Sequence, residues 1–334
     1  MADRRGFFKE LLRGAVDVAQ ELSSAMQAGS EPEPWRPPPT RPARPAVGCV
    51  DVEALHALCA EVGLEHRAAD VERMARVSLR LTPRPRAHGE LGPSRLGGSP
   101  DLPPGFAWPS RDGRPLAFLG QLDLAEVATA AAETPLPRAG LLLFFYDLAD
   151  RPSGLAPAQR GSCRVVLVRE TAESAADERQ AHLRALPIEV SRELMLPGAW
   201  SFHSEELELS SAEMDAWDEL NTRLARAQGV EPDETSVDPI ALHRLLGYQD
   251  EIGREIEVDC QLASAGLDAD DAEVYYEARD EHEAEARKWR LLLQLSADDS
   301  LGTPADGSFE RLFVCIRERD LQEATFDEVW AILR

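Results

Sequence analysis

Two glutamines, Gln121 and Gln294, stand inside apolar, strand-like runs, "LAFLGQLDL" and "KWRLLLQLS". A long amide in such a setting costs free energy unless its hydrogen bonds are made. Each is expected either to tie down a neighbouring loop or to line a cleft, with Trp108 and Asp123 nearby, that accepts a peptide or a small ligand. His243, four residues before Gly247, is the most informative of the dispersed histidines. Its structural role would be a bond to a backbone carbonyl, and its functional role that of a base or ligand. Asp101, Asp123, His243, Asp298 and Asp299 are the common residues from which a fold could assemble an enzyme site. The chain carries no phosphate loop, no G-x-S-x-G elbow, no H-E-x-x-H and no dinucleotide fingerprint. That lowers the expectation of catalysis, and neither a catalytic residue, a metal set nor a cofactor is assigned.

A second pattern is electrostatic. Glu273, Glu277, Glu281 and Glu285 recur at four-residue steps within an acidic insertion at residues 266–287. On a helix they share one face, where like charges weaken it. Solvent, Arg279 and Arg287 could relieve the repulsion, as could a basic protein partner. The calcium-loop pattern fails, because no glycine occupies the sixth position of any D-x-D start.

The rest of the composition narrows the partners. With 36 basic against 60 acidic residues the formal charge is −24, which repels nucleic acid and anionic membranes. Cys49, Cys59, Cys163, Cys260 and Cys315 are odd in number and show no C-x-x-C spacing. Reduced thiols in a cytoplasmic protein are expected. No apolar run is long enough to span a bilayer.

Residues 1–27 open with "DRRGFFKELLRG", which looks like a twin-arginine export signal. Glu10, Arg13, Asp17 and Glu21 interrupt the apolar region that such a signal needs. At helical spacing, Phe8, Leu11, Leu12, Ala15, Ala19, Leu22 and Met26 instead form the stripe of an amphipathic helix. It is expected to dock on its own domain or on a partner. Residues 28–47 are proline-dense and read as a disordered linker, so residues 48–334 form the globular domain.

Within that domain, "VDVEALHALCAEVGL" has helical spacing, residues 70–82 continue as a second helix or strand, and "AEVATAAAE" reads as a short helix. "GLLLFFYDL", "CRVVLVR", "PIEVSREL" and "ERLFVCIR" read as strands. Residues 210–228 form a helix, capped by Ser210 or Ser211 and stopped by Gly229. "FDEVWAIL" reads as a terminal helix. The class is α+β, mainly β, since strict βαβ alternation is absent. An internal repeat pairs Gly98, Gln121 and Phe144 with Gly247, Gln294 and Phe313, the longer second interval reflecting the acidic insertion.

The segments "LGGSPDLPPGFAWP", "PLAFLGQLDL", "GLLLFFYD", "HRLLGYQ", "WRLLLQLSADDS" and "FVCIRERDLQEATFDEVW", in this order, resemble the YwqG-like family of bacterial proteins without established function. The resemblance is strongest over residues 75–334. It implies a β-rich domain of two related halves and a cytoplasmic home. Where relatives carry a Trp-Gly-Asp element after the second glutamine strand, this chain has "LGTPADGSFERLF". The function expected is a non-catalytic interaction or ligand-binding module, with an immunity-protein-like charge. The alternative is an enzyme with a site between the two halves.

Overall fold

The computed structural model describes residues 50–84, 92–169, 182–230, 243–250, 254–304 and 308–334. The N-terminal helix and linker expected over residues 1–47 lie outside the described residues, as does Cys49. The chain divides into two units, Met1–Pro45 and Ala46–Arg334, and the second carries the fold.

Two helices open it, α1 (Val52–Glu61) and α2 (Ala68–Met74). The Asp51 carboxylate caps α1 by accepting from the Ala54 amide at 2.9 Å. Strands β1 (Arg76–Pro83) and β2 (Arg95–Leu96) follow, then a small hairpin of β3 (Ser110–Arg111) and β4 (Arg114–Pro115). Next come β5 (Ala117–Asp123), α3 (Leu124–Ala130), β6 (Leu141–Tyr146), β7 (Cys163–Val168) and β8 (Leu186–Met195). Helix α4 (Ser211–Ala227) has the expected cap. The Ser210 amide donates to Glu213 Oε2 at 2.8 Å while the Glu213 amide donates to Ser210 Oγ at 3.3 Å. Its buried face is Met214, Trp217, Leu220 and Leu224. The remainder comprises β9 (His243–Leu246), α5 (Ile256–Ser264), α6 (Ala272–Ala286), β10 (Trp289–Ser296), β11 (Arg311–Arg317), α7 (Glu318–Gln322) and β12 (Trp330–Leu333).

Ten strands form one antiparallel sheet in the order β12-β11-β10-β9-β1-β8-β2-β5-β6-β7. That order repeats. Strands β1, β2, β5, β6 and β7 correspond to β8, β9, β10, β11 and β12, and the two leading strands, β1 and β8, are exchanged across the middle of the sheet. Registers agree residue for residue: Arg95 faces Gln121 as Arg244 faces Gln294. Irregularities also recur, between Phe118 and Gly120 in β5 and between Leu291 and Leu293 in β10. One expected pairing slips. Gln121 faces Leu143, whereas Gln294 faces Phe313, so the counterpart of Phe313 is Leu143 and not Phe144. A single-residue step puts Phe144 on the opposite face of the sheet.

The terminal segment is a strand, β12, and not the helix expected from "FDEVWAIL". All four β12 residues are buried, and a short run buried on both faces has no periodicity with which to announce itself. β12 pairs with β11 on one side, and on the other the Leu333 amide donates to the Ser153 carbonyl at 2.9 Å. The loop before β7 therefore covers an edge that would otherwise expose unpaired backbone. One apolar core, including Leu79, Leu122, Phe144, Leu293, Leu312 and Leu333, runs through both halves. The opposite face is covered in pieces. Helices α1, α2 and α4 pack around Trp217, α5 covers β10 to β12, and Leu102, Phe106 and Trp108 cover β5 and β6.

Candidate functional site

Each glutamine closes a bracket around the loop of its own half. The Gln121 amide donates to the Pro93 carbonyl and to Asp101 Oδ2, both at 2.8 Å, and its oxygen accepts from the Asp101 amide at 2.8 Å. Arg95 completes the bracket through two bonds to the same carboxylate, at 2.7 and 3.0 Å. Burial by itself would raise the Asp101 carboxyl, but the bonds from Arg95 and Gln121 hold it below the usual range. In the second half Gln294 donates to Asp250 Oδ2 at 2.6 Å and accepts from the Asp250 amide at 3.2 Å, while Arg244 reaches Asp250 at 2.9 Å. The bracket needs a tight turn between its arginine and its aspartate. Gly98 and Gly247 supply it at φ +71° and +87°.

Replacing Gln121 with Leu strands the Asp101 amide, and is expected to destabilise the fold by about 1–3 kcal/mol. Urea unfolding of the variant measures this, and unchanged stability would mean that solvent replaces the bracket.

The other expected site residues separate. Trp108 donates from Nε1 to the Leu116 carbonyl at 2.8 Å and meets Phe145 edge-on at 5.3 Å, half-buried in the loop cover. Asp123 caps α3, accepting from the Ala125 amide at 2.7 Å. His243 accepts at Nδ1 from the Ser296 amide at 3.2 Å, so Nε2 carries the proton and donates to Asp298 at 3.3 Å. Against burial, this bond and those from Ser300 hold the Asp298 carboxyl well below the carboxylate range. Asp299 is exposed. Asp101, Asp123 and the His243–Asp298 pair thus belong to three different bonding groups. Glu273, Glu277, Glu281 and Glu285 are all exposed on α6, where Lys288 engages Glu285. Among the described residues, no group of three or more His, Cys, Asp or Glu side chains is placed to hold a metal.

What does converge is a cavity of about 300 Å³ on the seam between the two halves. The first half contributes Arg76 and Val77 at the start of β1 and Glu133 to Pro135 after α3. The second contributes Leu246 and Gly247 at the end of β9, Arg290 and Leu291 at the start of β10, and Glu318 and Leu321 on α7. Arg290 bonds Glu318 at 2.7 Å, and Glu133 bonds Arg192 at 2.6 Å. Burial, then the nearby Arg76, lower the proton affinity of Arg290. Arg76 lies 4.1 Å over the Tyr248 ring. It has no ion-pair partner among the described residues, and its buried Nη1 has no hydrogen-bond acceptor among them. Leu246 holds φ +62°, a left-handed conformation that costs a non-glycine residue of order 1–3 kcal/mol. The first half places Gly97 at the corresponding position, with φ +61°.

Behind the cavity, Tyr248 meets the His203 ring at 5.2 Å, and His203 Nε2 lies 3.2 Å from Glu257 Oε1. Glu257 is 2% exposed, and its other oxygen has no partner among the described residues. Glu255, which accepts from the Phe202 amide at 3.0 Å, is pushed up to about 8 by burial and by Glu257. Burial depresses the proton affinity of His203. None of these residues carries a sequence motif.

The family model described as a domain of unknown function, DUF1963, matches residues 94–334. The chain belongs to this family. No curated protein matches it. β1 precedes the matched DUF1963 span yet occupies the middle of the sheet, so the folded unit extends beyond that span. Both glutamine brackets, apart from Pro93, and most of the cavity wall fall inside it. No helix among the described residues is long and apolar enough to cross a membrane.

Proposed function

We propose that this DUF1963 protein, whose motifs resemble those of YwqG-like proteins, is a cytoplasmic binding module that takes a small ligand in the seam cavity. The observation that carries the reading is the composition of that wall. Apolar side chains from both halves surround Arg76, whose buried Nη1 has no hydrogen-bond acceptor and whose guanidinium has no carboxylate within ion-pair distance among the described residues. Ligand sites commonly combine an apolar lining with a few polar groups of this kind. The strained Leu246 in the wall adds support, since backbone strain persists where a side chain is needed. The Thr134 hydroxyl in the wall donates to the Ala131 carbonyl at 3.3 Å, and Glu133 and Glu318 are engaged by Arg192 and Arg290, an arrangement that favours binding over turnover. The formal charge of −24 favours a small molecule or a protein over nucleic acid.

Thr134 sits half-buried on the rim, so Thr134→Trp is expected to fill the cavity while leaving the brackets intact. Fragments detected on the wild-type protein by ligand-observed NMR should lose binding to this variant. Hits that bind both proteins alike, or no hits, would remove the cavity as the binding site.

A further inference from the structure

We infer that the ligand of the seam cavity is a monoanionic carboxylate with a short apolar body. The inference rests on the cavity being the binding site and adds the chemistry of what enters it.

Charge decides the valence of the ligand. Of the ionised groups in the wall, Arg290 is engaged by Glu318 and Glu133 by Arg192. Arg76 alone has no carboxylate within ion-pair distance among the described residues. The buried Glu257 behind Tyr248 attracts Arg76 from beyond ion-pair distance, so what Arg76 still needs is one acceptor at its buried Nη1, which a single anionic group supplies. A phosphate dianion would bring a second charge towards Glu133 and Glu318, where like-charge repulsion acts against it. A guanidinium presents parallel donors that suit a planar carboxylate. The Tyr248 ring, 4.1 Å from the guanidinium carbon, restrains Arg76 before any ligand arrives, which limits the ordering cost of binding.

The remaining wall fixes the body. Val77, Pro135, Leu246, Leu291 and Leu321 are apolar, and they line a cavity of about 300 Å³. That apolar lining and volume suit an aryl or short alkyl group.

The test is calorimetry on the full chain with 3-phenylpropionate, hexanoate, the neutral 3-phenylpropanamide and inorganic phosphate. Four proteins are compared: wild type, Arg76→Gln, Arg76→Lys and Thr134→Trp. Expected is a carboxylate bound at least tenfold tighter than the amide. Arg76→Gln should lose that preference, Arg76→Lys should keep part of it, and Thr134→Trp should bind neither compound. Arg76→Lys retains the charge, so it keeps the test meaningful if Arg76→Gln folds poorly. If amide and carboxylate bind the wild type equally and Thr134→Trp abolishes both, the carboxylate assignment fails while the cavity reading stands. Carboxylate binding that survives in Thr134→Trp overturns the cavity reading itself. Phosphate binding tighter than either carboxylate overturns the inference, as does no carboxylate binding at millimolar concentration.

Discussion

Replacing Glu193 with Gln is expected to lower the stability of the protein by about 3–5 kcal/mol, read from the midpoint of urea unfolding at constant m. Glu193 lies on β8 with its side chain 4% exposed. It accepts from Arg80 Nε at 2.9 Å and Nη2 at 2.6 Å, from Arg244 Nη1 at 2.9 Å and from Ser78 Oγ at 3.3 Å. Arg80 and Arg244 are equally buried, and Asp250 is a second carboxylate for Arg244 alone. Removing the Glu193 charge leaves Arg80 with the Gln228 carbonyl and no carboxylate among the described residues, and that uncompensated charge is the source of the penalty. The position also matters topologically. Arg80 belongs to β1, Glu193 to β8 and Arg244 to β9, so the network crosses the place where the two halves exchange their leading strands. Glu189 serves as a control, because it pairs with Arg84 on the same strand pair but both side chains are more than half exposed. Glu189→Gln should leave the midpoint unchanged within error. Equal effects at the two positions would show that burial of the ion network does not set its contribution.

Much of the local structure was legible. Helix α4 announced itself through its cap and apolar spacing, and β5, β6, β10 and β11 through short apolar runs with turn residues at their ends. Strand β12 was not legible as a strand, because Trp330 to Leu333 are buried on both faces and such a run carries no period. Glycine and glutamine positions disclosed the repeat, since both are needed for the bracket. Phenylalanine did not align, since Phe313 and Leu143 are interchangeable apolar residues in their strands. The exchange of β1 and β8 left no local trace. It depends on pairing between distant segments, which one sequence does not encode as a pattern.

The site was less legible than the fold for a related reason. Residues rare in apolar strands, such as Gln121 and Gln294, stand out, but they turned out to be bonded to their own loops. Arg76 and Arg290 each precede an apolar run, the usual place for a solvated flanking charge. Only the sheet order brings them to one wall. His203 and Glu257 are separated by a long stretch of chain and meet because α5 packs back over the sheet. Dispersed charges become a site through topology, whereas a bracket within one half can be read from spacing.

The closed edge of the sheet yields the other large expected effect, at Gly154. Its φ is +81°, and a Cβ built there would lie 1.8 Å from the Ala331 carbonyl oxygen and 3.2 Å from Ile332 Cα. Both contacts are with the backbone of β12, which cannot rotate away. The same segment makes the bonds that cover β12: Trp330 Nε1 donates to the Gly154 carbonyl at 2.7 Å, and the Leu333 amide to Ser153 at 2.9 Å. Gly154→Ala therefore combines a left-handed backbone cost of about 1–2 kcal/mol with an overpacking cost of about 1–3 kcal/mol. Relief requires the loop to leave the strand. Gly113 separates the two terms, since its φ is +77° and nothing lies within 4 Å of its built Cβ. Gly113→Ala should show the backbone cost alone, with normal amide protection in β12. Gly154→Ala should show a larger loss of thermal stability, faster hydrogen exchange at the Leu333 amide, and self-association through the uncovered edge. If the two variants unfold together and Leu333 stays protected in both, the loop is not what holds the edge of the sheet.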